Sequence, residues 1–354
     1  MKNLKKEFPV TAQYTHLNTA GCGLMSETLL DWRHDHDLDY LIMGSKLKDK
    51  QETFIKKLRA KIGQFFNVDP EKLALVPNFS FGINIYLDSL KRDTKFLLLS
   101  NDYPSINWPV EERKFEVCYA EINEHLEQNI LKKVEEEKPD VLALSLVQYL
   151  NGVMIDLDFL KTLKAKFPQL LIIADGTQFL GTQEFDFQNS GIDVLGASCY
   201  KWMNAGYGNG LFLFKETTAQ QLPETLGYGS VRGRGDDKQN FIGRFEPGHL
   251  DTLTMGSIGA AIDLIKKVGF ENIENHIKLL SDKAMQAFAK RDLLEDYIPK
   301  RKQHSSIFNI KGDEKLYNKL KEHDIITTPR GSGIRVSFHY FNTEKDLEKL
   351  LKVI

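Results

Sequence analysis

The residues that could do chemistry stand just after short apolar runs. Lys201 lies in ASCYKWMNAGYGNG, past the run 193–198 and ahead of Gly206, Gly208 and Gly210. An amine there can form a Schiff base with a carbonyl, and partial burial beside another cation would lower its pKa enough to make it nucleophilic. A lysine considered alone reads as a solvated surface group. Asp175 ends the apolar run LLIIAD, and Gln178 follows three residues on. A carboxylate at the tip of a buried strand costs several kcal/mol unless a cation meets it; otherwise it caps the next helix. In PNFSFGIN, Ser80 and the backbone amides from Phe79 to Gly82 open a helix that could cradle a phosphate, although Asn78 or Ser80 also fits a plain cap. Tyr103, in NDYPSINWP, offers a flat ring at another strand end, where most tyrosines simply pack. Together these groups match what pyridoxal 5′-phosphate requires: an anion opposite its pyridine nitrogen, donors for its phosphate, a ring on its face and a lysine on its aldehyde.

Something must bring these positions together. Between residues 70 and 215, short apolar runs alternate with amphipathic stretches, and strands are expected at 73–76, 96–100, 115–120, 141–147, 170–175, 193–198 and 210–214. Runs such as FLLLS, VLALSLV and LLIIAD lack alternation, as strands buried on both faces should. The expectation is an α/β protein with a large three-layer α/β/α domain around a mostly parallel seven-stranded sheet. Ligands of such sheets bind outside the carboxyl ends of the strands, where the polar groups above fall. Residues 221–248, dense in glycine and charge, read as a long irregular connection. A helical region at 256–290, strands at 306–310 and 333–339, and a helix after Asn342 suggest a smaller α/β domain. The predicted division is 15–245 for the large domain and 246–354, with 1–14, for the small C-terminal one.

Composition narrows the function classes. The chain has 354 residues, 42% hydrophobic, with 47 basic against 49 acidic side chains and a formal net charge of −2. No cationic surplus exists for nonspecific nucleic-acid binding. Three cysteines without CxxC spacing argue against a disulfide framework, and the nine histidines show no HExxH or other metal spacing, so no metal is expected. The basic amino terminus is followed by no apolar signal core, and no run of about 18 apolar residues occurs, so membrane spanning is disfavoured and a cytoplasmic location is expected. Arg234, Gly235 and Asp236 spell an adhesion tripeptide that chance explains better. The GxGxG after Lys201 leads into a strand and so is no dinucleotide fingerprint.

Nearly end to end, the chain resembles the class V aminotransferase family of pyridoxal-phosphate enzymes, which includes cysteine desulfurases, selenocysteine lyases, kynureninases and isopenicillin N epimerases. The markers are LNTAGCG, PNFSFGIN, the stretch from IIADGTQFLG to ASCYKW, RFEPGHLDT and GIRVSFHYFNTEKDLEKLL. The resemblance implies the type I fold of pyridoxal-phosphate enzymes. It makes Lys201 the Schiff-base lysine, Asp175 the partner of the pyridine nitrogen and Gln178 the donor to the phenolic oxygen. Ser198, Ser80 and the Phe79 amide become phosphate ligands, and Tyr103 takes the place of the stacking ring, commonly a histidine. Arg335 matches the arginine that holds the substrate α-carboxylate, a task suited to a bidentate guanidinium. Asn18 to Gly21, Ala20 among them, resemble the segment lining the substrate side.

Three departures bear on the reaction. Tyr200 precedes the lysine where desulfurases often carry histidine, and its phenol could reach the phosphate region. Gly248 and His249 stand where the family commonly has glycine and threonine, the latter reaching the partner subunit's phosphate. The arm DIITTPRGSG before Arg335 contains no cysteine to accept sulfur, and Cys22 is the only cysteine near the substrate side. The resulting expectation is an enzyme acting at the α-carbon of a small amino acid, most simply an aminotransferase, in a homodimer with shared sites. The alternative is a cysteine desulfurase or selenocysteine lyase type of C–S or C–Se lyase, or an epimerase. A non-catalytic scaffold subunit would have signalled itself by loss of Lys201 or Asp175, and both are present.

Overall fold

The computed structural model describes residues 4–219, 241–246 and 248–354. After a short β1 (Thr15–His16), seven strands build the central sheet: β2 (Leu73–Val76), β3 (Lys95–Leu99), β4 (Glu116–Ala120), β5 (Val141–Ser145), β6 (Leu171–Asp175), β7 (Val194–Ser198) and β8 (Gly210–Phe214). Their order is β2-β8-β7-β6-β5-β3-β4. Strands β3 to β7 pair in parallel, and β8 runs antiparallel to both β2 and β7. The sheet is therefore mostly parallel, as expected.

Strand periodicity divides the core into two layers. Leu97, Leu99, Leu142, Leu144, Ile172 and Ala174 face one apolar cluster, while their neighbours Phe96, Leu98, Val141, Ala143 and Ile173 face another. The sheet is covered on both sides, which is why these strands show no apolar–polar alternation. Helices Phe79–Leu87 and Pro104–Glu112 cover one face with Ile83, Tyr86, Leu87, Ile106 and Val110. Helices Lys48–Phe66, Leu126–Glu137 and Leu157–Lys166 cover the other, burying Leu58, Ile62, Phe66, Ile130, Val134, Leu160 and Leu163 at helical spacing. Each such side chain contributes roughly 1.5–3 kcal/mol of transfer free energy.

The C-terminal region carries β9 (Ile307–Lys311), β10 (Ile325–Ile326), β11 (Thr328–Arg330) and β12 (Gly333–Ser337). An antiparallel sheet in the order β11-β12-β9 forms its centre, and β10 pairs in parallel with β1. Thr15 and His16 are thus paired with a strand of the C-terminal region. The helical region 256–290 is two helices, Thr252–Val268 and Phe270–Lys290, broken at Gly269 with φ +87. The first packs on helices Glu27–Met43 and Lys48–Phe66, where Gly256 meets Trp32 and Phe54, and Arg33 Nε donates to Ser257 Oγ at 3.0 Å.

Most of the long connection expected at 221–248, with the Arg234–Asp236 tripeptide, lies outside the described residues. Its described end is structural: Phe245 packs on Phe212 and Phe214, while Glu246 pairs with Arg59 and accepts from Leu75 N at 2.6 Å. Among the described residues no helix is long and apolar enough to cross a membrane.

Candidate active site

The carboxyl ends of β3, β5, β6 and β7 converge with β12 and the 18–23 segment, and most of the candidate residues meet there. Gly23 N donates to Tyr200 O at 3.1 Å, and a Cβ on Gly23 would collide with the Tyr200 and Lys201 carbonyls, so only glycine lets this segment approach the lysine turn. Lys201 is buried, with Nζ 5.6 Å from the centroid of the Tyr103 ring and 5.6 Å from that of Tyr200. Burial holds its pKa well below the ordinary lysine value. Asp175 opposes that shift, and the positive charges of Arg335 and Arg330 add to it.

Asp175 is buried at the end of β6 and accepts from Thr177 N at 2.8 Å. Desolvation raises its pKa against the Thr177 hydrogen bonds and the charge of Lys201, and nearby Asp102 raises it further. Asp102, buried beyond β3, accepts from Tyr103 N at 2.6 Å and from Ser145 N at 2.8 Å. The ring of Tyr103 packs edge-on to Tyr149, with centroids 5.1 Å apart.

The expected phosphate cradle is present but internally bonded. Asn78 caps helix Phe79–Leu87 by accepting from Phe81 N at 2.9 Å, so the plain capping reading holds for that side chain. The Phe79 amide, expected to face a phosphate, donates to Ser198 Oγ at 2.9 Å, and Ser198 N donates to Thr177 Oγ1 at 3.0 Å. Ser80 is exposed and donates to Ser105 Oγ at 2.8 Å. The Ser198 hydroxyl hydrogen remains available to an anion.

Gln178 is buried, with Nε2 donating to Ala20 O at 3.0 Å and Oε1 accepting from Trp202 Nε1 at 2.7 Å. Arg335, on β12, is 3% exposed; Nη1 donates to Tyr149 O at 2.8 Å and Nε is buried without a partner. Burial and the neighbouring Arg330 push its pKa down to about 10. Asn18 Oδ1 accepts from Thr328 Oγ1 at 2.7 Å, and Ala20 N donates to Ser337 Oγ at 3.1 Å. Tyr200 stacks on Tyr207 at 4.7 Å, and Tyr207 donates to Cys22 Sγ at 3.0 Å, which brings that thiol to the lysine's side of the site. His249 lies apart from this cluster in sequence, exposed just before helix Thr252–Val268.

Three residues of the cluster escape a sequence reading: Asp102, Thr177 and Trp202. Asp102 carries the signal that marks Asp175, a carboxylate just past an apolar strand. Nothing in the sequence singles out Thr177 or Trp202, because their importance lies in what they bond to.

The model of the aminotransferase class-V family matches residues 41–350. The chain is 22% identical to an uncharacterized aminotransferase of Bacillus subtilis over 98% of its own length and 95% of the relative's. It is 23% identical to a cysteine desulfurase of Serratia proteamaculans over 90% and 84%. Among solved structures, a cysteine desulfurase of Thermococcus onnurineus superposes with a TM-score of 0.87 at 17% identity, covering 99% of this chain and 96% of that one. The cystine C–S lyase C-DES, in complex with cysteine persulfide, superposes with a TM-score of 0.86 at 19% identity over 98% of both chains. These likenesses give the type I fold of pyridoxal-phosphate enzymes.

Proposed function

Because the chain belongs to the aminotransferase class-V family, we propose that its strand-tip site binds pyridoxal 5′-phosphate and works at the α-carbon of a small amino acid, as an aminotransferase. One observation carries the reading. Lys201, Asp175 and Arg335 are all buried at one site, and among the described residues none of them is neutralised by an ion pair. Burying such charges is costly unless a ligand completes them. A pyridine nitrogen answers Asp175, an aldehyde answers the Lys201 amine, and a substrate carboxylate answers Arg335 with its unpartnered Nε.

When bound, the cofactor supplies an aldehyde and an electron-withdrawing ring that delocalises charge released at the substrate α-carbon. The chain's residues do the rest. Lys201, whose burial makes the neutral amine easier to reach, would hold the carbonyl carbon through Nζ and would carry the α-proton at the same atom. Asp175 keeps the ring nitrogen protonated. Gln178 donates to the phenolic oxygen, while Ser198, Ser80 and the Phe79 amide hold the phosphate after the Phe79 amide gives up its bond to Ser198. Tyr103 covers the ring, and Tyr200 borders the phosphate side. Arg335 grips the α-carboxylate, with Asn18 and Ala20 lining the substrate side.

A homodimer belongs to the same proposal. Helix Glu27–Met43 leaves Leu38, Tyr40, Leu41 and Ile42 exposed, Leu41 by 81% and Ile42 by 73%, an apolar face that suits a second copy. His249 would then reach the phosphate in the partner subunit. Sedimentation should give a dimer that Leu41→Glu with Ile42→Glu dissociates; an active wild-type monomer would overturn it. The three free cysteines fit a cytoplasmic setting.

The second reading, a C–S or C–Se lyase, is favoured by Cys22, whose thiol reaches the site although the arm before β12 has none. The test is an absorbance spectrum of the purified protein with and without Lys201→Ala, followed by a panel of amino acids. A visible band lost in the variant supports the cofactor reading, and conversion to the pyridoxamine form supports transamination. Release of sulfide or selenide with alanine supports the lyase. No band after adding pyridoxal phosphate sinks both.

A further inference from the structure

Trp202 follows Lys201 directly and is almost fully buried. Its indole N–H donates to Gln178 Oε1 at 2.7 Å, and the same amide's Nε2 donates to Ala20 O at 3.0 Å. The two bonds admit a single orientation of the amide. Flipped, its NH2 would face the indole N–H and its oxygen would face the Ala20 carbonyl, donor against donor and acceptor against acceptor. In the bonded orientation Nε2 has two hydrogens and spends one on Ala20.

The circuit closes on β12 and the residues beyond it. Ala20 N donates to Ser337 Oγ at 3.1 Å, and the Trp202 carbonyl accepts from His339 Nε2 at 2.9 Å. The indole also meets the His339 ring edge-on at 4.9 Å. His339 donates from Nε2 to Asn204 Oδ1 as well, so its Nδ1 is bare, and burial keeps the ring neutral by lowering its pKa to about 3. Ala20, Gln178, Trp202, Ser337 and His339 are all buried, which makes a partly broken circuit costly. Arg335 stands two residues before Ser337 on the same strand.

We propose that Trp202 is a positioning residue: it locks the Gln178 amide so that one N–H is reserved for the phenolic oxygen of the bound cofactor, and it ties that donor to the strand carrying Arg335. The proposal rests on the reading of Gln178 given above. The phenolic oxygen carries more negative charge in the high-pH form of the bound cofactor, so a hydrogen bond to it favours that form and its loss raises the midpoint.

The test is a pH titration of the visible band in the holoenzyme for wild type, Trp202→Phe, Gln178→Met and the double variant. Phenylalanine keeps an aromatic ring in the core, smaller than the indole, and removes the indole donor. Each single variant should raise the midpoint by about half to one pH unit, the size of one net hydrogen bond. The double variant should raise it no further than Gln178→Met alone. A midpoint moved by Gln178→Met and unmoved by Trp202→Phe overturns the role of Trp202 and leaves that of Gln178 standing. A midpoint unmoved by Gln178→Met overturns the reading of Gln178 and the proposal with it. Should Trp202→Phe fail to fold, ¹⁵N-indole spectra of the three native tryptophans decide the question. One indole N–H signal should move in Gln178→Met, and three unmoved signals would overturn the proposal.

Discussion

The two ends of the central sheet treat charge in opposite ways. At the amino ends, buried or half-buried charges are answered by the protein. Asp193, just before β7, accepts from Lys164 Nζ at 2.8 Å and from Ile172 N at 2.8 Å. Lys95, opening β3, pairs with Glu116 at 2.9 Å and Glu137 at 3.0 Å, and its amide donates to Asp140 at 2.8 Å. At the carboxyl ends, Asp175 and Lys201 are as deeply buried as Asp193, yet their pKa values are pushed toward the neutral forms and no ion pair among the described residues restores them. The same strands, with equally apolar middles, have one end where charge is paired within the protein and one where, among the described residues, buried charge has no ion pair.

Substitutions should break that comparison in order of size. Lys201→Met, which keeps the length and removes the amine, should lower activity by at least ~10³-fold, the scale of a lost general base, and abolish the visible band. It should leave the melting temperature of the cofactor-free protein unchanged or higher, because an unanswered buried charge has been removed. Retained turnover would sink the assignment. Asp193→Ala should do the reverse, costing about 3 kcal/mol in denaturant unfolding while the folded fraction keeps its band and turnover; unchanged stability would show that the amino-end pair contributes nothing.

Acid should expose a third contrast. His16 and His339 are buried, and burial lowers their pKa values to about 4 and about 3. The unfolded chain binds protons below pH 6.5 while the folded one does not. The stability present above 6.5 is therefore lost as pH falls, at up to about 1.4 kcal/mol per pH unit for each ring. Unfolding titrations between pH 6.5 and 5 should show this slope, reduced by one ring's share in His16→Asn; identical slopes in the two proteins would contradict it. The smallest effect is expected for Arg335→Lys, which keeps the charge and loses the planar fork. KM for the amino acid should rise roughly 10–100-fold with kcat less affected. An unchanged KM would detach Arg335 from the substrate carboxylate.

Much of this was legible in the sequence, for reasons that differ by residue. The seven strands lie within a residue or two of their expected bounds, and all but the edge strand β4, where Glu116 and Tyr119 are exposed, are dense apolar runs because the sheet is covered on both faces. The fourth, β5, ends at Ser145 and not at residue 147, because Leu146 and Val147 remain apolar after the ladder ends, Val147 making only an isolated bridge to Met154. The helix break at Gly269 was missed because apolar spacing continues across it. Asp175, Gln178, Ser198, Lys201 and Arg335 were singled out as candidates by type and by motif, and all five are buried. Their neighbours Thr177 and Trp202 were not, since a threonine and a tryptophan beside a strand tip look like any others until the acceptor of each bond is known.

By itself, then, the sequence determined the covered parallel sheet, the strand tips that carry the polar groups and the cofactor chemistry those groups suit. These are properties of local patterning, which side-chain type and spacing encode directly. Tertiary structure alone decided which charges stay unanswered, that the Phe79 amide rests on Ser198, that Thr15 and His16 join β10, and that an indole fixes the Gln178 amide. Each is a contact between positions far apart in the chain or a balance of burial against charge, and neither exists until the strands and the C-terminal unit have come together.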